Sequence, residues 1–370
     1  MARRPKMPSL GVLTRAYQRN MRSMARLLQL SAAPKAKAAA KRLPKRATPL
    51  VPSAPLSARK PIRISRQPAL GQWVSGIAPG PAGARRYQLY VPPGVSRASR
   101  TRLPLLVMLH GCGQTANGFA ATTRMNLRAV RERFLVLYPE QERVANAQGC
   151  WNWFARRNGR ADAEAATLLA AIDQVAERYP VHPARIGVAG LSAGASMAGQ
   201  MALLAPQRFC AVAMHSGAPP GSAESAVTAL AAMRGDSEPH RPETGDATVT
   251  PCVLPPLLLL HGDADGVVAL QSARRTAAWW ADALGARPGP VRVQQRGARR
   301  ATHVTEWRAR SKVQVVLREI DGLGHAWSGG ATRTAYSDPS GPDATALIWA
   351  FMARQFDVVA PSSKKQSKIH

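Results

Sequence analysis

One pentapeptide limits what this chain can fold into more than any other segment: Gly190-Leu191-Ser192-Ala193-Gly194, of the form G-x-S-x-G. It follows a run that reads as a strand, Arg185-Ile186-Gly187-Val188-Ala189, and opens onto good helix formers from Ala195 to Leu204. Strand, sharp turn of small residues, then helix puts the serine at an exposed apex. Glycines are needed because side chains would clash where the chain doubles back. The following helix aims its positive N-terminal end at the point where negative charge would develop. In a chain rich in Gly, Ser and Ala the pentapeptide alone carries little weight; what surrounds it carries more.

The order of the remaining groups supplies that weight. After Ser192 comes an apolar strand, Leu257 to Leu260, ending in His261-Gly262-Asp263-Ala264-Asp265. A second strand, Val313 to Leu317, precedes Gly322-Leu323-Gly324-His325. Ser, then Asp, then His is the chain order of an acyl-transfer triad on a parallel sheet. The gaps leave room for at least one strand and one helix each. Ser192 reads as the nucleophile, His325 as its base and Asp265 as the group that orients the base. Asp263 is the competing acid and reads instead as a turn cap. A tetrahedral intermediate needs two backbone N–H donors. Ala193, next to the nucleophile, is one; Cys112, in the His110–Gln114 loop after the strand Leu105–Leu109, is the other.

Eight tryptophans stand out where aromatics make up only 5% of the chain. Trp151, Trp153 and Trp327 fall in loops expected at the site, as an apolar wall for an acyl chain or a sugar face. His215, after the strand-like Ala211–Met214, joins them as a substrate-binding candidate. His110 and His261 read as loop-orienting residues, and His182, His240, His303 and His370 as surface residues. The spacings H-E-x-x-H and C-x-x-C do not occur, so neither a metal nor another cofactor is expected.

Taken together, the motifs resemble the poly(3-hydroxybutyrate) depolymerase family of esterases, itself related to feruloyl and acetyl-xylan esterases. The matching blocks are Leu109–Ala116, Tyr138–Gln141, Gly149-Cys150-Trp151-Asn152-Trp153-Phe154 and the serine pentapeptide. They continue through His215-Ser216-Gly217, His261–Asp265, Gly324–Gly330 and Asp338–Ala344, so the likeness covers about 70 to 357. The resemblance implies an α/β-hydrolase with Ser192, Asp265 and His325 as triad and Cys112 in the oxyanion loop. Two departures touch the substrate side. Ala195 stands where the family often has a second Gly, and Gly159–Glu164 replaces a Gly-Glu pair.

With 370 residues and 45% apolar content, there is material for one α/β domain plus an extension. The expected fold is a mostly parallel sheet with helices on both faces, preceded by a disordered basic extension. The divisions are 1–70, the catalytic domain at 71–358 and a polar tail at 359–370. Strands are expected at 72–77, 86–91, 104–109, 134–138, 185–189, 211–214, 256–260 and 313–317. Helices are expected at about 116–131, 162–178, 195–205, 271–284 and 342–356. Residues 217–252 read as an insertion over the site.

The net charge of +30 is concentrated: residues 1–70 hold 17 Lys and Arg and no Asp or Glu, against 34 basic and 21 acidic residues in the remainder. Residues 9–30 read as a basic amphipathic helix and 31–68 as a Pro- and Ala-rich linker. Such a segment reads either as a solubilising tail or as an anchor for an anionic surface: membrane, polymer granule or nucleic acid. Neither a secretory signal nor a spanning helix is expected, although family members are often secreted. The four cysteines, 112, 150, 210 and 252, allow three full pairings. A Cys112–Cys150 bridge would pin the oxyanion loop to the Trp-rich loop; Cys210 reads as a free core thiol.

Three readings follow. The first is a serine esterase for poly- or oligo-(3-hydroxyalkanoate). The second is a carbohydrate esterase of feruloyl or acetyl-xylan type. The third is a non-catalytic protein that binds granules or polyanions.

Overall fold

The computed structural model describes residues 71–240 and 253–359. The helix expected at 9–30, the linker at 31–68, Cys252 and residues 360–370 of the polar tail lie outside the described residues.

An antiparallel hairpin comes first, β1 (Gln72–Ala78) and β2 (Arg85–Val91), with Gln72 opposite Val91 and Ala78 opposite Arg85. The chain continues through β3 (Leu103–Leu109), β4 (Leu135–Pro139), β5 (Val181–Leu191), β6 (Ala211–His215) and β7 (Leu257–Gly262). Last come the short β8 (Arg287–Pro288) and β9 (Arg292–Gln294), then β10 (Thr302–Ala309) and β11 (Lys312–Ile320). In space the order is β1-β2-β4-β3-β5-β6-β7-β11-β10-β8, with β9 also on β10. Every neighbouring pair from β4 to β11 is parallel.

The strands are apolar on both sides because both sides are covered. Leu105, Val107 and Leu109 of β3 enter one core, while Leu106 and Met108 enter the other. The same two-residue alternation sends Leu257 and Leu259 to the first core and Leu258 and Leu260 to the second. The first core is closed by α3 (Arg160–Arg178), α4 (Ala193–Leu204), α5 (Ala226–Arg234) and α6 (Leu270–Ala283). The second is closed by α1 (Ala116–Thr123), α2 (Met125–Glu132) and α7 (Ala344–Val359). This is the α/β-hydrolase architecture.

Two local features differ from the sequence expectation. The helix expected at 116–131 is two helices, broken at Arg124, which has φ 55°. Thr122 and Thr123 donate their hydroxyls to Gly118 O and Ala120 O, and the Thr123 hydroxyl also accepts from Met125 N–H. Such side-chain bonds compete with the helix ladder. The freed Arg124 guanidinium reaches Gly329 O at 2.6 Å. The second difference is β10 with its flanking β8 and β9. β10 is a polar strand lying between β11 and the short edge strands β8 and β9, and all three lack the apolar run that marks a central strand.

Buried polar groups tie the sheet to the loops above it. Glu164 on α3 is fully buried and accepts from Arg85 Nη2 (2.9 Å), Gln141 Nε2 (2.7 Å) and Asn152 N–H (2.6 Å). Breaking a buried pair strands its partner's charge. Glu164→Gln should therefore lower unfolding stability by roughly 3 kcal/mol or more, read as a drop in Tm. An unchanged Tm would show that the network is dispensable.

Candidate active site

Ser192 sits where β5 turns into α4, at the C-terminal edge of the parallel strands, where ligands bind in open α/β sheets. Its backbone has φ 56° and ψ −123°, a sparsely populated region for a residue with a side chain. Close packing enforces that turn. A Cβ on Gly190 would lie 2.3 Å from the Gly194 carbonyl, and one on Gly194 would lie 2.2 Å from Leu109 O. Both glycines are therefore obligatory, and they bring α4 against the end of β3. Ser192 N–H donates to His215 O at 2.9 Å, and the Ser192 hydroxyl makes no capping bond to α4, which leaves it available.

His325 and Asp265 meet as a pair. His325 Nδ1 is 2.8 Å from Asp265 Oδ2 and 3.1 Å from Oδ1. With Nδ1–H held by the carboxylate, a neutral ring keeps Nε2 as its acceptor. Asp265 is itself fixed by its own loop: Oδ1 accepts from Val267 N–H and Val268 N–H, each at 2.9 Å. Burial alone would raise this carboxyl. The neighbouring His325 charge and hydrogen bond, then His261 and the Val268 N–H, outweigh burial and bring it to about 2. His261 Nε2 is bonded to Val268 O at 2.8 Å, bracing the same loop. Asp263, the competing acid, accepts instead from Gly322 N–H at 2.6 Å.

Ser192, Ala193, Cys112 and His325 line one cavity of about 130 Å³. Ala193 is the first residue of α4, so its N–H has no acceptor within the helix. Cys112 is disulfide-bonded to Cys150, and the loop is further tied by Gly111 N–H to Gln114 Oε1 at 2.9 Å. Cys210 is free, and burial pushes its thiol up to about 12.

Of the tryptophans, only Trp153 reaches the cavity. Trp151 and Trp327 are completely buried. Trp151 donates its indole N–H to His110 O at 3.0 Å, and Trp327 donates to Thr345 Oγ1 at 3.1 Å. Both are props beneath the loops and not a wall for substrate, because each indole finds its polar partner inside the fold. His215 is likewise buried away from the cavity, stacked on Trp327, with Nε2 accepting from Ser328 N–H at 3.1 Å. Burial lowers it to about 3, with the neighbouring His261 and His325 adding to the shift.

The rest of the wall was not read from sequence. It includes Phe154, Ala229 and Met233 of α5, Val267, Val268 and Tyr336. Phe154 lies in the Cys-Trp-Asn-Trp-Phe block and so carried a signal. Met233 and Tyr336 lie in stretches without a motif. No Asp, Glu, Lys or Arg lines the cavity among the described residues. Nor do three or more His, Cys, Asp or Glu gather there in a metal-holding group among the described residues.

Two tests follow from this geometry. The Cys112–Cys150 bridge closes a separation of 38 residues, which a chain-entropy model equates with about 4 kcal/mol. Replacing both cysteines by serine should lower Tm accordingly and reduce kcat on a small ester more than it changes KM; an unaltered kcat would mean the loop holds its place unaided. The second concerns acid. Because the folded Asp265 carboxyl titrates near 2, below its ordinary 3.8, its stabilisation is complete above pH 4 and is lost as pH falls through about 2. The loss amounts to about 2 kcal/mol. Asp265→Asn should lack this part of the acid-side fall in Tm, and parallel curves for both proteins would refute the assignment.

Comparisons with known proteins identify the family. The model of the family described as esterase PHB depolymerase matches residues 85–307. Poly(3-hydroxyalkanoate) depolymerase C of Paucimonas lemoignei is 33% identical over 161 residues, which is 43% of this chain and 37% of that protein. The chain thus matches little more than a third of that relative's length. Feruloyl esterase B of Neurospora crassa is 28% identical over 228 residues, 58% of this chain and 75% of that protein. Among solved structures, an acetyl xylan esterase from Aspergillus awamori superposes with a TM-score of 0.53 at 20% identity, covering 70% of this chain and 94% of that one; this likeness concerns the fold alone. With the family model matched across more than half of its length, the chain belongs to the esterase PHB depolymerase family.

Proposed function

We propose that this protein hydrolyses carboxylic esters through an acyl-enzyme on Ser192, with poly- or oligo-(3-hydroxyalkanoate) as substrate class. The observation that carries this reading is the His325–Asp265 pair opening into the cavity that also holds the strained Ser192. In this mechanism His325 Nε2 takes the Ser192 proton as Oγ attacks the ester carbonyl. The Cys112 and Ala193 N–H groups receive the oxyanion. The imidazolium, stabilised by Asp265, then protonates the leaving alcohol. Water, deprotonated by the same imidazole, attacks the acyl-serine; as the acyl–Oγ bond breaks, the imidazolium returns that proton to Ser192 Oγ and the acid is released.

Two facts favour an aliphatic hydroxyacid ester. The wall formed by Trp153, Phe154, Met233, Val267 and Val268 is apolar and carries no formal charge, and the depolymerase of Paucimonas lemoignei is among the relatives. A second reading, an esterase acting on feruloyl or acetyl groups of polysaccharide, is favoured by the longer match to feruloyl esterase B. The basic residues of 1–70 would add attachment to an anionic surface.

Purified protein assayed in parallel on hydroxybutyrate oligomers, nitrophenyl esters and feruloylated or acetylated sugars separates the two substrate readings. Ser192→Ala should lower kcat by roughly a millionfold. Asp265→Asn should lower it by about 10⁴ while Asp263→Asn costs less than about tenfold. Wild-type turnover by the serine variant would end the acyl-enzyme mechanism, and a larger loss at Asp263 would reassign the acid.

A further inference from the structure

The end of the sheet remote from Ser192 has a second concavity, of about 470 Å³, within the range of ordinary ligand sites. It lies where β3 and β5 begin, with Leu103 paired to Val181. The segments leading into both strands and the C-terminus of α3 form its sides. Five arginines line it, Arg97, Arg100, Arg102, Arg178 and Arg208, against two carboxylates, Asp173 and Glu177. Arg208 is paired with Asp173. The other four form no ion pair among the described residues. Arg97 lies over the Tyr179 ring, 5.4 Å from its centre, a contact that places the guanidinium without neutralising it.

The surrounding field is positive. His182 beside the groove is held below its ordinary value, first by burial and then by the charges of Arg185 and Arg102. A further observation comes from the chain path. Gln72 pairs with Val91, six residues before Arg97. Residues 1–70, with 17 basic and no acidic side chains, therefore join the domain at this same end.

We propose that this groove binds a chain of phosphates, recognised by charge and not by sequence. Guanidinium forks match phosphate oxygens in pairs. Four arginines outside the Arg208–Asp173 pair, against the single remaining carboxylate of Glu177, spread around one concavity; they suit a linear polyanion better than a lone carboxylate, which one or two would satisfy. A flat membrane would meet the rim alone. The one aromatic side chain in the wall, Tyr179, is already covered by Arg97, so no free ring is offered to a nucleic-acid base and backbone contacts dominate. The site is independent of the hydrolysis proposed above.

The test uses the full chain and titrates each probe directly across a range of salt: a fluorescein-labelled oligo(dT) by fluorescence anisotropy and inorganic polyphosphate by calorimetry, with phosphatidylglycerol vesicles as a third arm read by co-sedimentation. Arg97→Gln, Arg100→Gln, Arg102→Gln and Arg178→Gln are combined in one variant. A control variant removes four exposed charges from the opposite edge of the sheet: Arg287→Gln, Arg296→Gln, Arg310→Gln and Lys312→Gln. Each lost phosphate contact flattens the plot of log affinity against log salt by about 0.7 on a single strand. The groove variant should therefore lose roughly 3 units of slope and about ten- to a hundredfold in affinity near 0.1 M salt, whereas the control changes far less. Hydrolysis of a small soluble ester at the wild-type rate shows that both variants are folded. Groove-dependent binding of either probe supports the site, and the probe that binds identifies the source of the phosphates. Equal losses in the two variants would reduce the effect to net charge and overturn the proposal. So would the absence of binding by either probe, or groove-dependent binding to phosphatidylglycerol vesicles alone.

Discussion

The close approach of α4 to the end of β3 is the constraint on which the site depends. Gly194 has room for a hydrogen and nothing larger against Leu109 O, and Gly190 the same against Gly194. This contact forces Ser192 into its unusual backbone conformation, sets the Ala193 N–H at the mouth of the cavity and brings the Cys112 loop alongside. A strained backbone persists only where its surroundings over-determine it. Here the surroundings are two sheet strands and a buried helix, with Ser192 N–H anchored on His215 O.

The loops that meet at this point are braced from below by polar groups that never touch the cavity. His110 Nε2 accepts from Gln141 N–H, and Trp151 donates to His110 O. Gln141 in turn donates to Glu164 and to Cys150 O. The disulfide joins the two loops covalently. His215 and His110 each use a ring nitrogen as acceptor, which requires a neutral imidazole, and burial lowers both. These two histidines are fixed structural connectors, while His325, which lines the cavity, holds Asp265 at 2.8 Å.

The sheet and the Ser192–Asp265–His325 constellation were legible in the sequence for a physical reason. Central parallel strands are continuous apolar runs, and each candidate residue follows such a run in a polar, glycine-marked loop. The roles of Trp151, Trp327 and His215 were not legible, because a motif places a residue in a loop without saying which side of the loop faces inward. Their polar atoms are satisfied by His110 O, Thr345 and Ser328 N–H, partners set by tertiary packing. The break at Arg124 and strand β10 were hidden for related reasons. The first depends on hydroxyl-to-carbonyl bonds within a good helix-forming stretch. The second is a polar strand, next to the short edge strands β8 and β9, whose pairing with β11 is set from outside its own sequence.

Helix α5 illustrates a division of labour. Its Ala229 and Met233 close the outer wall of the cavity, yet the helix belongs to the segment between β6 and β7 and forms no part of the sheet. Ser192, Asp265 and His325, by contrast, each hang from the end of a central strand. The part of the wall that α5 supplies is thus encoded apart from the charge arrangement beneath it, whereas Val267 and Val268 serve both. The β6–β7 segment contributes wall but none of Ser192, Asp265 or His325, so a change of length there alters the recess first, and reaches the Asp265 loop through the Ala269 N–H bond to Met233 O; such a scaffold can change its diet by editing one loop.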